Sequence, residues 1–156
     1  VPDGALCYCG HTGCLETITS ESYILSECRK GLKLNINSEM MKYCDGDIDK
    51  LTIEHVIAAA NEWDRFSRNI FEEVATHLGN KLSEMANIFN PQLIILRGRV
   101  IDNNPFLFEN IERIILNQSL QHISQNLKMI YSKEDNDIRL KGISSVILNH
   151  FFSALV

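Results

Sequence analysis

Three cysteines close together constrain this chain more than any other feature. Cys7, Cys9 and Cys14 follow the spacing C-x-C-x4-C, and Gly10 and Gly13 supply the tight turns that direct three sulfurs toward one point. Zinc binds four ligands in a tetrahedron, with sulfur at about 2.3 Å, so three thiolates leave one position for another ligand. The spacing therefore predicts a zinc loop over residues 7–14, which we call the cysteine loop.

The sequence does not reveal the fourth ligand. His11 lies inside the loop, but the backbone would have to fold sharply for its ring to join the neighbouring sulfurs. The alternatives to zinc are three unpaired thiols, or one disulfide and a free cysteine. Cysteines separated by one residue bridge poorly, and the chain has 5 cysteines, an odd number. We interpret the isolated Cys28 and Cys44 as small apolar core residues.

Composition indicates one globular domain over residues 1–156. Apolar residues make up 45% of the chain, enough for a core at this length. A net charge of −5 with no basic run makes the chain a poor candidate for holding nucleic-acid phosphates. No stretch approaches the roughly 20 apolar residues that cross a bilayer, so we expect no membrane insertion and a cytoplasmic location. The chain begins with Val1 rather than Met, and we expect it to be a fragment of a longer protein.

The first half of the chain shows helical periodicity. Apolar residues recur at three- and four-residue steps over residues 15–30, with Gly31 as the predicted end of that helix. Residues 32–51 are polar and predict a connection with one short turn. Thr52 is the predicted N-cap of a short helix that extends through Ala60.

The clearest predicted helix follows and ends before Pro91, since the residue before proline avoids the helical region. Its apolar stripe predicts core packing and consists of Trp63, Phe66, Ile70, Val74, Leu78, Leu82, Met85 and Phe89. The opposite face is predicted to be solvated and consists of Asp64, Arg65, Arg68, Glu72, Glu73 and Lys81.

The second half alternates strands and helices. Residues 93–96 form a continuous apolar run, which predicts a strand buried on both faces. A helix over residues 105–120 and a second strand over residues 127–131 follow. A polar loop then leads to a last helix over residues 138–152, buried through Ile143, Val146, Ile147 and Phe151. This order predicts an α/β fold with a partly parallel sheet.

Two motifs resemble a known family. Cys7-x-Cys9-Gly10-x-x-Gly13-Cys14-Leu15-Glu16 resembles the zinc signature of the ROK family of repressors, open reading frames and sugar kinases. Phe89-Asn90-Pro91, the apolar strand and Gly98 resemble the second landmark of that family. The resemblance covers essentially the whole chain as the C-terminal portion of a ROK protein. It implies a ribonuclease-H-like, actin/hexokinase-type ATPase lobe.

The resemblance also assigns roles to residues. It implies that the fourth zinc ligand is a histidine upstream of this chain. Glu16 matches the family glutamate that contacts sugar hydroxyls, and a carboxylate can accept two such hydrogen bonds. The alternative for Glu16 is a favourable interaction with the dipole of the helix that begins there.

The resemblance places the catalytic residues of ROK kinases outside this chain. Their Asp-x-Gly phosphate loop and catalytic aspartate belong to an N-terminal part, so we assign no catalytic residue and expect no enzymatic activity from this chain. Arg97 and Arg99 flank Gly98 where kinases carry a glycine-rich turn. Their bulk argues against close approach of the backbone to a nucleotide. We interpret them as surface residues, with phosphate contact as the alternative.

The stretch after Glu16 lacks the Ser-Gly pair common in the kinases and resembles the glucose- and N-acetylglucosamine-responsive repressors. We therefore predict the effector-binding and oligomerisation domain of a sugar-responsive transcriptional regulator. Its expected partners are a sugar or sugar phosphate, a second copy of the chain, and DNA reached only through a missing N-terminal domain. The alternative is the C-terminal lobe of an ATP-dependent hexose or N-acylhexosamine kinase.

Overall fold

The computed structural model describes residues 4–131 and 144–148. A 3-10 helix, Ile48–Lys50, lies between the third and fourth α-helices. The named α-helices are α1 Glu16–Thr19, α2 Glu21–Lys33, α3 Met40–Tyr43, α4 Ile53–Asn61, α5 Arg65–Phe89, α6 Pro105–Gln118 and α7 Gln121–Ser124. The strands are β1 Leu93–Leu96 and β2 Lys128–Tyr131. Among the described residues, no helix combines the length and the hydrophobicity that crossing a bilayer requires.

The core lies where α2, α4 and α6 pack against the long helix α5. Val56 of α4, Ile111 of α6 and Phe71 of α5 are fully buried and belong to the same core cluster. Helices α5 and α6 approach closely at Gly79, where a Cβ atom would lie only 2.7 Å from Cγ2 of Ile114. Glycine at this position therefore sets the distance between the two helices.

The two strands pair in parallel, with Leu93 opposite Lys128 and Leu96 opposite Tyr131. Helices α6 and α7 form the connection between them, as expected for parallel neighbours. The predicted α/β architecture with parallel strands is confirmed. The prediction that the first strand is buried on both faces is wrong. Leu93 and Ile95 are 45% and 53% exposed, because no described residue covers that face of the sheet.

The helix predicted over residues 15–30 is two helices. The backbone is extended at Ser20 (ψ 157°), which ends α1 and whose hydroxyl accepts a hydrogen bond from the backbone N–H of Tyr23 as the N-cap of α2. The predicted end at Gly31 is also wrong, since α2 continues to Lys33 and buries Gly31. This glycine serves packing, because the ring of Phe66 occupies the space that a Cβ atom would need.

We expect Gly31→Ala to destabilise the protein. Alanine favours a helix interior by about 1 kcal/mol, but its methyl group would overlap Cζ of Phe66 and lie 2.7 Å from Cε1. Overpacking of this kind costs roughly 1–3 kcal/mol, so the clash decides the sign. The measurement is urea unfolding of both single variants and of Gly31→Ala combined with Phe66→Leu. The double variant should lose less stability than the sum of the two single losses, and strict additivity would contradict the contact.

The connection predicted over residues 32–51 contains more structure than one turn. It includes α3 and the 3-10 helix, and it buries Met40 and Cys44 in the core. Cys28 is also fully buried, so both isolated cysteines are core residues, as predicted. The short helix capped by Thr52 is confirmed, with Ile53–Asn61 as its observed range.

The stripe predicted on the long helix is only partly core. Ile70 and Val74 are buried, but Trp63 lies before the helix and is 78% exposed, while Met85 and Phe89 are also exposed. The prediction of a fully solvated opposite face is wrong at two positions. Asp64 is buried as the N-cap of α5, and Arg68 is half-buried against two aromatic rings.

The predictions for the last part of the chain lie mainly outside the described residues. Residues 144–148 are helical, in agreement with the last predicted helix. Val146 and Ile147 are 70% and 54% exposed, so the prediction that they are buried is wrong among the described residues. The predicted polar loop and the burial of Ile143 and Phe151 concern residues that are not described.

Candidate functional site

The cysteine loop closes as a small hairpin. Leu6 and Thr12 pair in an antiparallel bridge, and the backbone N–H of Cys7 donates to the carbonyl of His11 at 2.8 Å. The N–H of Gly10 donates to the carbonyl of Cys7 at 2.9 Å. Gly10 and Gly13 have φ values of 88° and 70°, a conformation that favours glycine. Both glycines therefore supply the turns that the sequence predicts.

The hairpin brings the three sulfurs of Cys7, Cys9 and Cys14 within 4.8 Å of one another. The sulfurs of Cys9 and Cys14 are 3.6 Å apart. Four ligands at tetrahedral zinc, with sulfur at 2.3 Å, place their sulfurs about 3.8 Å apart. All 5 cysteines are free thiols, so the disulfide alternative is wrong. The donor set and its spacing fit a zinc ion.

His11 lies beside this cluster but is not part of it. Its Nδ1 atom is 3.6 Å from the sulfur of Cys9. Among the described residues, only the three cysteines form a group whose potential ligand atoms all lie within 4.8 Å of one another. The structure therefore agrees with a three-sulfur site that needs a ligand from another residue.

The thiols of Cys9 and Cys14 differ in acidity. The backbone N–H and the imidazole of His11 donate toward the sulfur of Cys9, and together with the Cys14 and Cys7 thiols they lower the pKa of Cys9 to about 7. Hydrogen bonding to the sulfur of Cys9, and then of Cys7, raises the pKa of Cys14 to about 11. The thiol of Cys9 is therefore more acidic than that of Cys14 and is about half ionised at neutral pH.

Glu16 follows the cysteine loop directly and begins α1. The side-chain hydroxyl of Thr17 donates to the carbonyl of Cys14 at 2.7 Å, which fixes the end of the loop to this helix. Glu16 is exposed, and its carboxylate makes no hydrogen bond or ion pair with the part of the chain that the structure describes. The predicted sugar-contacting residue is thus adjacent to the predicted metal site and available to a ligand.

A cavity of about 520 Å³ opens beside Glu16. Its lining includes Cys7 and Tyr8 of the cysteine loop, residues of α1, and residues of α2 and its N-cap. The hydroxyl-bearing residues are Tyr8, Thr17, Ser20, Ser22, Tyr23 and Ser26. Carboxylates and hydroxyls are the hydrogen-bonding groups that suit a polyhydroxylated ligand. Sequence reasoning missed these residues, although the Ser20-Glu-Ser22 pattern after Glu16 was a signal for them.

Tyr23 joins the cavity wall to the long helix. Its hydroxyl donates to Glu73 of α5 at 3.0 Å. Burial and then this carboxylate raise the pKa of Tyr23 to about 12. The phenol therefore stays protonated and holds α2 against α5 at the base of the cavity.

Arg99 contributes to tertiary structure rather than standing free at the surface. Its guanidinium forms ion pairs with Glu21 of α2 at 3.1 Å and with Glu54 of α4 at 2.7 Å. The hydrogen bond from Arg99 is the main cause that lowers the pKa of Glu54 to about 2. The alternative of phosphate contact is disfavoured for Arg99, because two carboxylates already neutralise its charge.

Comparison with known proteins gives the family. The ROK family model matches residues 1–149, and the chain belongs to the ROK family. The DNA-binding transcriptional dual regulator NagC of Escherichia coli K12 is 33% identical over 135 residues, which are 86% of this chain and 32% of NagC. The chain therefore spans about a third of the length of this relative.

Solved structures agree with the fold. A ROK family transcriptional regulator described as a homologue of the E. coli Mlc protein superposes with a TM-score of 0.74 at 29% identity, over 87% of this chain and 33% of that one. A ROK family glucokinase from Streptomyces griseus, solved with glucose and AMPPNP, superposes with a TM-score of 0.72 at 23% identity, over 85% of this chain and 44% of that one. The second likeness shows the fold alone, and it confirms the kinase-type α/β architecture.

Proposed function

We propose that this chain is the effector-binding and oligomerisation part of a cytoplasmic ROK regulator that responds to a sugar. The observation that carries the proposal is the unpartnered carboxylate of Glu16 at a hydroxyl-lined cavity, directly after a cluster of three converging sulfurs. The greater identity to regulators than to the glucokinase structure, at nearly equal superposition, supports the regulatory role. DNA contact and the oligomer belong to the full-length protein in this proposal.

Zinc is the metal we propose for the cysteine cluster. Cys7, Cys9 and Cys14 would hold it, with the fourth ligand from a histidine that precedes Val1. When bound, the ion supplies a structural cross-link and no redox chemistry. The cysteine loop then has a fixed shape, and Thr17 transmits that position to α1 and Glu16 through its hydrogen bond to Cys14.

We expect Glu16→Gln to weaken sugar binding by about 10- to 100-fold, since a hydrogen bond to a charged group contributes roughly 1.5–3 kcal/mol. The measurement is titration calorimetry of the full-length protein with glucose, N-acetylglucosamine and their 6-phosphates. Glu72→Gln is the matched control, because it makes the same change on an exposed part of α5 away from the cavity. Equal affinities of the two variants for every sugar would contradict the role of Glu16.

A second readout tests regulation itself. In full-length protein, the sugar that binds should release operator DNA from the wild type, and Glu16→Gln should require a higher sugar concentration for the same release. Binding of the sugar without any effect on DNA binding would contradict the regulatory proposal and leave the assignment of the cavity intact.

The alternative is the C-terminal lobe of an ATP-dependent sugar kinase, favoured by the superposition on the glucokinase from S. griseus. The ion pairs of Arg99 argue against it, because a guanidinium that pairs with Glu21 of α2 and Glu54 of α4 is not available to a nucleotide phosphate. ATP-dependent phosphorylation of glucose, N-acetylglucosamine or N-acetylmannosamine by the full-length protein distinguishes the two functions. Robust turnover would favour the kinase.

A further inference from the structure

Trp63 occupies a left-handed backbone position at which the fold does not require a tryptophan. It follows α4, whose end is stabilised by hydrogen bonds from the N–H of Trp63 to the carbonyl of Ala60 and from the N–H of Asp64 to that of Ala59. This is a Schellman motif, in which the residue in the left-handed conformation is usually glycine. Trp63 has φ 67°, which is costly for a bulky residue, and its side chain is 78% exposed.

The exposed ring belongs to a stacked arrangement. The guanidinium carbon of Arg68 lies 3.7 Å from the ring centroid of Trp63 and 4.4 Å from that of Phe106. Arg68 is thus held between two aromatic faces, and its Nε–H donates to the carbonyl of Ala60 at 2.7 Å. Stacking uses the face of a guanidinium and leaves N–H groups at its edge for a carboxylate. The second face of Trp63 remains open to solvent.

A groove of about 540 Å³ continues from this stack along the first turns of α6. We call it the tryptophan groove; its lining includes Trp63, Arg68, Phe106, Glu109, Asn110 and Arg113. Arg113 is exposed and donates to Asn110 at 2.8 Å, so its charge is held at the rim. Two arginines against one glutamate make the groove cationic on a chain whose net charge is −5.

We propose that the tryptophan groove binds an acidic peptide segment of a partner protein. An apolar side chain of the segment lies on the open face of Trp63, and carboxylates pair with Arg68 and Arg113. Tryptophan and arginine are the residues that most often dominate the binding energy of protein interfaces. A residue kept exposed and strained, where glycine would serve the fold better, indicates selection for contact rather than for stability.

The charges decide between classes of partner. Two arginines provide too few phosphate contacts for a nucleic acid, and the acidic chain around them repels a polyanion. A peptide needs only one or two carboxylates beside an apolar anchor. The groove lies at the end of α4 and the beginning of α6, so it is distinct from the cavity beside Glu16 and does not depend on the proposed sugar site.

The experiment uses the intrinsic fluorescence of the full-length protein. Trp63 is the single tryptophan of the 156 residues, so any tryptophan elsewhere in the full-length protein is first replaced by phenylalanine. The probes are a pool of capped peptides with glutamates flanking leucine or phenylalanine, the same pool with glutamines, and an oligo-dT strand. We expect the acidic pool to shift the Trp63 emission, the glutamine pool to bind at least about tenfold more weakly, and added salt to reduce the difference.

Two variants separate binding from folding. Trp63→Gly should unfold at the same or a higher temperature than the wild type, because glycine relieves the left-handed strain. Its affinity for a labelled acidic peptide, measured by fluorescence anisotropy, should fall at least about tenfold. Arg113→Ala should weaken the peptide, whereas the matched control Arg65→Ala, an exposed arginine outside the groove, should not.

Three results would overturn the proposal. A lower unfolding temperature for Trp63→Gly would mean that the ring serves the fold. Emission of a buried indole in the unliganded full-length protein would mean that its own chain covers the groove. Binding of oligo-dT, or of neither peptide pool, would exclude an acidic peptide as the occupant.

Discussion

The full-length protein is expected to bind about one zinc ion per chain, and Cys9→Ser or Cys14→Ser to remove it. A serine hydroxyl does not ionise at neutral pH and leaves two sulfurs where the cluster has three within 4.8 Å. In small zinc peptides the metal supplies about 10 kcal/mol of folding free energy, so the cysteine loop should lose its fixed structure with the ion. Elemental analysis of the purified protein measures the stoichiometry, and limited proteolysis measures the order of the loop.

Cys44→Ala is the matched control for metal binding. It also removes a thiol, but one that is buried in the core and hydrogen-bonded to the carbonyl of Met40. Its zinc content should equal that of the wild type, whereas the two loop variants should also lose repression without any change in residues that contact DNA. A loop variant that keeps both zinc and repression would contradict the proposed role of the loop.

Asp64→Ala is expected to reduce the free energy of unfolding by about 2–4 kcal/mol, through loss of an N-cap and of bonds to buried donors. Asp64 is only 7% exposed. Its carboxylate accepts from the N–H of Ser67 and the N–H of Glu39, both at 2.8 Å, and from the hydroxyl of Ser38 at 3.0 Å. One side chain therefore begins α5 and fixes the segment that leads into α3. Urea unfolding at neutral pH measures the loss.

The same carboxylate makes stability depend on pH. Burial alone would raise the pKa of Asp64, but the hydrogen bonds from Ser67, Glu39 and Ser38 outweigh it and hold the pKa below its ordinary value. Its contribution is complete above the unfolded pKa of about 3.9 and is lost as pH falls through the lowered pKa. The difference in stability between wild type and Asp64→Ala should therefore shrink in acid.

Asp47→Ala is the matched control for that prediction. Asp47 is an exposed N-cap of the 3-10 helix that accepts a hydrogen bond from the N–H of Asp49 and forms an exposed ion pair with Lys50 at 3.6 Å. Its loss should cost no more than about 1 kcal/mol. Equal losses for Asp64→Ala and Asp47→Ala would contradict the importance of burial and of the links to Ser38 and Glu39.

The cysteine loop could be predicted because its geometry is local. Eight consecutive residues carry the ligands and both glycines, so spacing alone determines which sulfurs meet. The cap at Thr52 and the parallel strands rest on similarly short patterns. Glu16 could be placed beside the loop for the same reason. The hydroxyl-bearing residues of α2 could not, because their positions depend on the direction in which that helix leaves Ser20.

Three of the errors come from tertiary contacts that periodicity does not encode. Gly31 has the appearance of a helix end, but its lack of a side chain serves the contact with Phe66. Asp64 has the charge of a surface residue, yet donors from Ser38 and Glu39, distant in sequence, surround it. Trp63 fits the helical stripe and lies outside the helix, because the chain reverses at the end of α4. Each of these three errors concerns a residue that contacts another element of the fold.

The contact between Gly31 and Phe66 also limits how the molecule can respond to a ligand. Helix α2 carries hydroxyl groups that line the cavity, and its backbone at Gly31 packs against the ring of Phe66 of α5. Because the ring of Phe66 meets backbone and no second side chain at this point, little room is left for the two helices to slide past each other. We therefore expect a ligand that moves Ser22 or Ser26 to shift the 25-residue α5 together with α2.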